Sequence, residues 1–113
     1  MPQTANRRLH TRYAAGIDCK MLRGSASRYD FARTADVSAG GAALDVRTAR
    51  PVRVGEDITI AMNWGHLPLL RSGDMVTARV LRAGPLLDNA QRVAIRFNRP
   101  QHAADALAAP EAA

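Results

Sequence analysis

Apolar residues in this chain recur at every second position in short runs, and that spacing limits what the chain can fold into more than any other feature. The clearest run is Asp57 to Trp64, where Ile58, Ile60, Met62 and Trp64 fall on one face. Two is the side-chain period of a β-strand, so one face of each run turns to a core and the other to water. The same alternation sets Ile17, Cys19 and Met21 against Asp18 and Lys20, and Ala42, Leu44 and Val46 against Ala43 and Asp45. It returns with Val76, Ala78 and Val80 against Thr77 and Arg79, and with Val93, Ile95 and Phe97 against Arg92, Ala94 and Arg96. A further run, Tyr29 to Val37, is expected to place Phe31, Ala35 and Val37 on one side. Turn-forming clusters separate the runs at Arg23 to Ser27, Gly40-Gly41, Gly55-Glu56, Gly65 to Asp74 and Gly84-Pro85. Pro51 cannot donate to a ladder, which makes Arg47 to Val54 a bend or an edge. Six short strands with no long helix between them predict an all-β fold, an antiparallel barrel or sandwich.

The remaining composition bounds the function. At 113 residues the chain has the length of one domain, and a domain of this size buries roughly two thirds of the surface its unfolded form exposes. The net charge of +6 is almost wholly arginine, Lys20 being the only lysine, and it suits either an anionic partner or simply an arginine-rich proteome. A single cysteine, Cys19, cannot close an internal disulfide and reads as a small buried hydrophobe in a reducing compartment. No apolar run approaches the ~20 residues of a membrane span, and no apolar segment follows the charged N-terminus as a secretory signal would require. The expectation is no membrane span and a cytoplasmic location. His10, His66 and His102 lack ligand spacing, so no metal or cofactor is expected. No nucleophile and base can be paired by spacing, so no enzyme is expected either.

Two short stretches carry chemistry. Arg7, Arg8 and Arg12 put three guanidinium groups within six residues, and Asp36-Val37-Ser38-Ala39-Gly40-Gly41 follows one strand later. Arginine meets the adjacent O6 and N7 acceptors of guanine with its fork, and grips phosphate oxygens in the same bidentate way. Arg8 and Arg12 would share a face on a helical turn, while an extended segment would let them wrap around a ligand; either geometry serves. Asp36 can accept the N1 and N2 protons of guanine, Ser38 can serve phosphate or base, and Gly41 lets a ligand near the backbone. The ligand so described combines guanine and phosphate. Taken singly, the arginines could be a solvated basic tail, and the second stretch an ordinary turn whose side chains bond the local backbone.

Together, Arg8-x3-Arg12 preceded by Arg7, and Asp36-x-Ser38-x-x-Gly41 after an intervening strand, resemble the two signature motifs of the PilZ domain. The resemblance extends over roughly Arg7 to Asn98 through strand order and spacing. It implies a six-stranded antiparallel β-barrel of split-barrel type and a bacterial receptor whose ligand is cyclic di-GMP. By that analogy Arg8 and Arg12 clamp phosphates and the Hoogsteen edges of guanine, and Arg7 adds charge or a further contact. Asp36 and Ser38 then hold a base and neighbouring groups, and Gly41 keeps the turn open. The expected organisation is a flexible N-terminal arm over 1–12, a barrel over 13–100, and a tail over 101–113 whose alanine-rich composition suits either a short helix at Ala103 to Ala108 or disorder. The arm is too short to include an attached output module, so signalling would pass to a separate protein effector. Leu67, Leu69 and Leu70 around Pro68 either plug a barrel end or offer a partner surface. The alternative is a small basic nucleic-acid-binding β-barrel, disfavoured by few aromatics and by Asp18, Asp30, Asp36 and Asp45 interleaved with the arginines.

Overall fold

The computed structural model describes residues 11–24, 28–64 and 75–104. Six strands follow in order: β1 (Asp18–Arg23), β2 (Tyr29–Val37), β3 (Gly41–Arg47), β4 (Asp57–Met62), β5 (Met75–Ala83) and β6 (Ala90–Phe97). All pairings are antiparallel, and the order around the closed barrel is β1-β2-β3-β6-β5-β4. Closure of β4 onto β1 removes the free edges that an open sheet would expose. No helix among the described residues is long and apolar enough to cross a membrane.

The inward set is the one the alternation predicts on five of the strands. Met21, Leu44, Val46, Ile58, Ile60, Val80 and Val93 are fully buried, and Trp64 packs against them from a half-buried position. Cys19 lies among them, its Sγ donating to the Ile17 carbonyl at 3.3 Å. Burial, reinforced by the nearby Asp18 carboxylate, pushes its thiol up to about 12, so it packs as a neutral group and is no nucleophile.

Strand β2 departs from strict alternation. Phe31 is 61% exposed while Val37 is fully buried, so the two lie on opposite faces. The cause is a β-bulge between Thr34 and Asp36. Ala32 and Thr34 face the core before it; the extra residue reverses the phase, leaving Val37 inward and Asp36 opposite Ala43 on the outer face. A second bulge, between Val80 and Arg82 on β5, does the same for Arg82, which pairs with Ala94 outside the barrel. Bulges commonly re-aim a side chain in this way.

The connection from β3 to β4 is held by side chains in place of a ladder. Gln91, 3% exposed, accepts from Val52 N–H at 2.7 Å and donates to the Val52 and Gly84 carbonyls at 3.0 and 2.9 Å. Arg23 donates to Glu56 Oε2 at 2.8 Å, to the Arg50 carbonyl at 2.7 Å and to the Pro51 carbonyl at 2.8 Å. The backbone groups that Pro51 and the bend leave outside a sheet are thereby paired. At the other end of the chain, Gln101 N–H donates to the Ala39 carbonyl at 2.6 Å and Ala104 is fully buried beneath a single 3₁₀ turn. The rest of the expected helix, and the Leu67 to Leu70 group, lie outside the described residues.

Candidate functional site

The two stretches singled out in the sequence meet through one β-bridge. Tyr13 N–H donates to the Val37 carbonyl at 2.7 Å and Val37 N–H donates back to the Tyr13 carbonyl at 2.9 Å. Just beyond, Thr34, nine-tenths buried at the bulge, accepts from Ile17 N–H at 2.7 Å and donates to the Ala15 carbonyl. The bulge therefore does two things: it turns Asp36 outward and it fixes the segment that leads to Arg12. Arg12 Nη1 lies 3.8 Å from Asp36 Oδ1, with side chains 43% and 37% exposed. At that separation and exposure the pair is solvent-screened and worth about 0–1 kcal/mol, so it is easily opened by a competing anion. Arg7 and Arg8 lie outside the described residues.

Strand register defines the floor beside this pair. Asp36 sits opposite Ala43, Ala43 opposite Ala94, and Ala94 opposite Arg82. Three strand spacings, roughly 14 Å, separate Asp36 from Arg82, and only methyl groups stand between them. Adjoining depressions of about 170 and 370 Å³ share Arg12, Asp36, Ala43, Arg82 and Ala94, forming one groove. Arg96 enters from the Gly41 side and Arg92 from the Gly84 side, while Leu81, the residue displaced by the second bulge, makes an apolar lip 46% exposed.

The cations of the groove differ in their engagement. Arg92 is bound by Asp45, Nε to Oδ1 at 2.5 Å, and that hydrogen bond, then the charge of Asp45 and more weakly that of Asp36, raises its pKa. The side chains of Arg82 and Arg96 are exposed and make no hydrogen bond or ion pair among the described residues. Alternation read without the bulge puts Arg82 in phase with Ala78 and Val80, facing the core, so no local signal marked it. Arg96 was legible as outward-facing, but its placement over the same floor depends on the β3–β6 register.

Ser38 and Gly41 have structural work of their own. Ser38 is 8% exposed, and its Oγ accepts from Gly40 and Gly41 N–H, both at 3.2 Å, while its N–H donates to the Gly41 carbonyl at 2.8 Å. A Cβ at Gly41 would lie 2.2 Å from the Ile95 carbonyl oxygen. Glycine is required there by the close approach of β6, apart from any need for a ligand to reach the backbone. The four residues thus divide: Arg12 and Asp36 face the groove, whereas Ser38 and Gly41 shape the turn that forms its end.

Comparison with known proteins agrees with this architecture. The PilZ domain family model matches residues 6–109, whereas no curated protein sequence matches significantly. Among solved structures, the inhibitor of motility MotI/DgrA of Bacillus subtilis superposes with a TM-score of 0.63 at 16% identity, over 84% of this chain and 44% of that one. The chain therefore spans less than half of that protein. The PilZ domain of YcgR from Escherichia coli, solved with cyclic di-GMP, gives 0.57 at 19% identity over 81% and 78% of the two chains. The PilZ domain of CeSA from a cellulose-synthesizing bacterium gives 0.57 at 20% identity over 86% and 97%. At these identities the superpositions establish the fold, and the sequence model establishes the lineage: the chain belongs to the PilZ domain family.

Proposed function

We propose that this domain is a receptor for cyclic di-GMP, bound in the groove between Arg12 and Arg82 with a guanine lying on the Ala43–Ala94 floor. The observation that carries the reading is the meeting of Arg12 and Asp36 at 3.8 Å beside a cationic groove. A fork for phosphate and the Hoogsteen edge, and a carboxylate for the N1 and N2 protons, there face the same space. Arg7 and Arg8 extend the grip from the segment that precedes Arg12, and Ser38 and Gly41 keep the receiving turn in shape. Ligand binding exchanges the screened Arg12–Asp36 contact for bonds to the nucleotide, and so biases the segment before Tyr13 toward a closed arrangement. That rearrangement is the signal offered to a protein effector, with a size set by the difference in affinity between the two arrangements.

The distribution of ion pairs argues against a general nucleic-acid binder. Arg33 is matched by Asp18 at 2.7 Å, Arg79 by Asp57 at 3.0 Å and Arg92 by Asp45 at 2.5 Å. These pairs interrupt the continuous basic track a phosphodiester backbone needs. The test is calorimetry with cyclic di-GMP and with random-sequence DNA at two ionic strengths. Cyclic di-GMP should keep much of its affinity in higher salt while any DNA binding falls steeply. Arg12→Ala should remove two or more charge-assisted bonds at about 1.5–3 kcal/mol each and weaken binding at least roughly 100-fold. Arg12→Lys should fail similarly, because a point charge does not replace a fork. Unchanged affinity in Arg12→Ala would end this reading.

A further inference from the structure

Two of the chain's five aromatic side chains stand on the solvent face of β2, at the end away from the groove. Tyr29 is 45% and Phe31 61% exposed. Register places Phe31 between Lys20 on β1 and Arg47 on β3, with Tyr29 opposite Leu22. The Lys20 ammonium lies 5.9 Å from the Tyr29 ring centre and 6.0 Å from that of Phe31, within cation–π range of both. Neither Lys20 nor Arg47 has a carboxylate partner among the described residues.

The contrast with the next row of the same sheet is informative. One step along, Asp18, Arg33, Asp45 and Arg92 follow one another across β1, β2, β3 and β6, and two salt bridges neutralise them. The Lys20–Phe31–Arg47 row has the same geometry with a phenyl ring where an acid could stand. Two unneutralised cations, two strand spacings or roughly 10 Å apart, thus bracket an exposed aromatic surface. Nucleic acid fits this less well, because the balanced row of Asp18, Arg33, Asp45 and Arg92 ends the basic track.

We propose that this patch docks an acidic segment of a protein partner, an extended stretch alternating carboxylates with aliphatic side chains. Its apolar side chain packs on the edges of Phe31 and Tyr29, and flanking carboxylates meet Lys20 and Arg47. The patch shares no residue with the nucleotide groove, so this assignment stands or falls apart from the ligand reading.

The probe is a fluorescein-labelled heptapeptide alternating Glu and Leu, with the matching Lys and Leu peptide and oligothymidylate as controls. Anisotropy should show binding of the acidic peptide alone, and its amide shift changes in NMR should centre on Lys20, Phe31 and Arg47. Phe31→Ala and Lys20→Glu should each weaken that binding by about tenfold or more, with melting temperature and cyclic di-GMP affinity unchanged. The proposal is overturned if the acidic peptide fails to bind or its shifts map elsewhere. Equal binding of the basic peptide, preference for oligothymidylate, or self-association through Phe31 would overturn it too.

Discussion

Replacing Asp36 by Asn keeps the size of the side chain and removes its charge, and the structure lets the consequence be worked out. On the loss side, the carboxylate no longer accepts from the guanine N1 and N2 protons, a charge-assisted contact worth about 1.5–3 kcal/mol. On the gain side, Arg12 is freed from a 3.8 Å contact between side chains 43% and 37% exposed, which returns no more than about 1 kcal/mol. The net penalty is roughly 0.5–3 kcal/mol, so the dissociation constant of cyclic di-GMP should rise between about twofold and 150-fold. Cyclic diadenylate has no equivalent protons for the carboxylate, so its affinity should hold or improve slightly, and guanine selectivity should shrink. Calorimetry with both nucleotides, beside thermal melts confirming the fold, measures this. A variant that binds both ligands as the parent does would reduce Asp36 to a bulge residue and refute the geometric argument.

Arg82→Ala should leave stability unchanged, because the side chain is exposed and unengaged among the described residues, yet weaken cyclic di-GMP binding about tenfold or more by removing a charge-assisted contact; titration of that variant decides whether the far wall of the groove takes part. Gly41→Ala should destabilise the barrel by about 1–3 kcal/mol in urea unfolding, since the new Cβ would meet the Ile95 carbonyl oxygen, a backbone atom that cannot rotate away. Glu56 is pulled toward a higher pKa by burial, but hydrogen bonds from Arg23 and the Arg53 N–H, with the charges of Arg23 and Arg50, outweigh that and hold it below the ordinary glutamate range. A depressed carboxyl contributes stability above its unfolded pKa and loses it as pH falls through the folded value. Unfolding measured from neutral pH down to about pH 3 should therefore show an acid-side loss in the parent that is diminished in Arg23→Met.

How much of this was legible beforehand follows from the range over which each feature is set. Inward faces such as Ile58-Ile60-Met62 and Val93-Ile95-Phe97 are buried as their period-two spacing requires, because alternation is imposed residue by residue by the strand itself. The stretches that hold Arg12 and Asp36 were also readable, since each is a short local pattern, but their meeting at 3.8 Å depends on the Tyr13–Val37 bridge. The phase of β2 was not. Whether Asp36 or Ala35 takes the outer face turns on one unpaired residue, and that is fixed by how β2 meets β3, with no signal in its own composition.

Sequence alone therefore determined the number of strands, the core-facing set on five of them and the two chemical stretches, all products of local spacing. Tertiary structure decided the rest. Two bulges on strands some 45 residues apart aim Asp36 and Arg82 over one alanine floor, and the β3–β6 register brings in Arg96 and makes glycine obligatory at Gly41. Such relations arise only when hydrogen bonding between distant strands sets the register, because a one-residue slip in pairing reverses every side chain that follows.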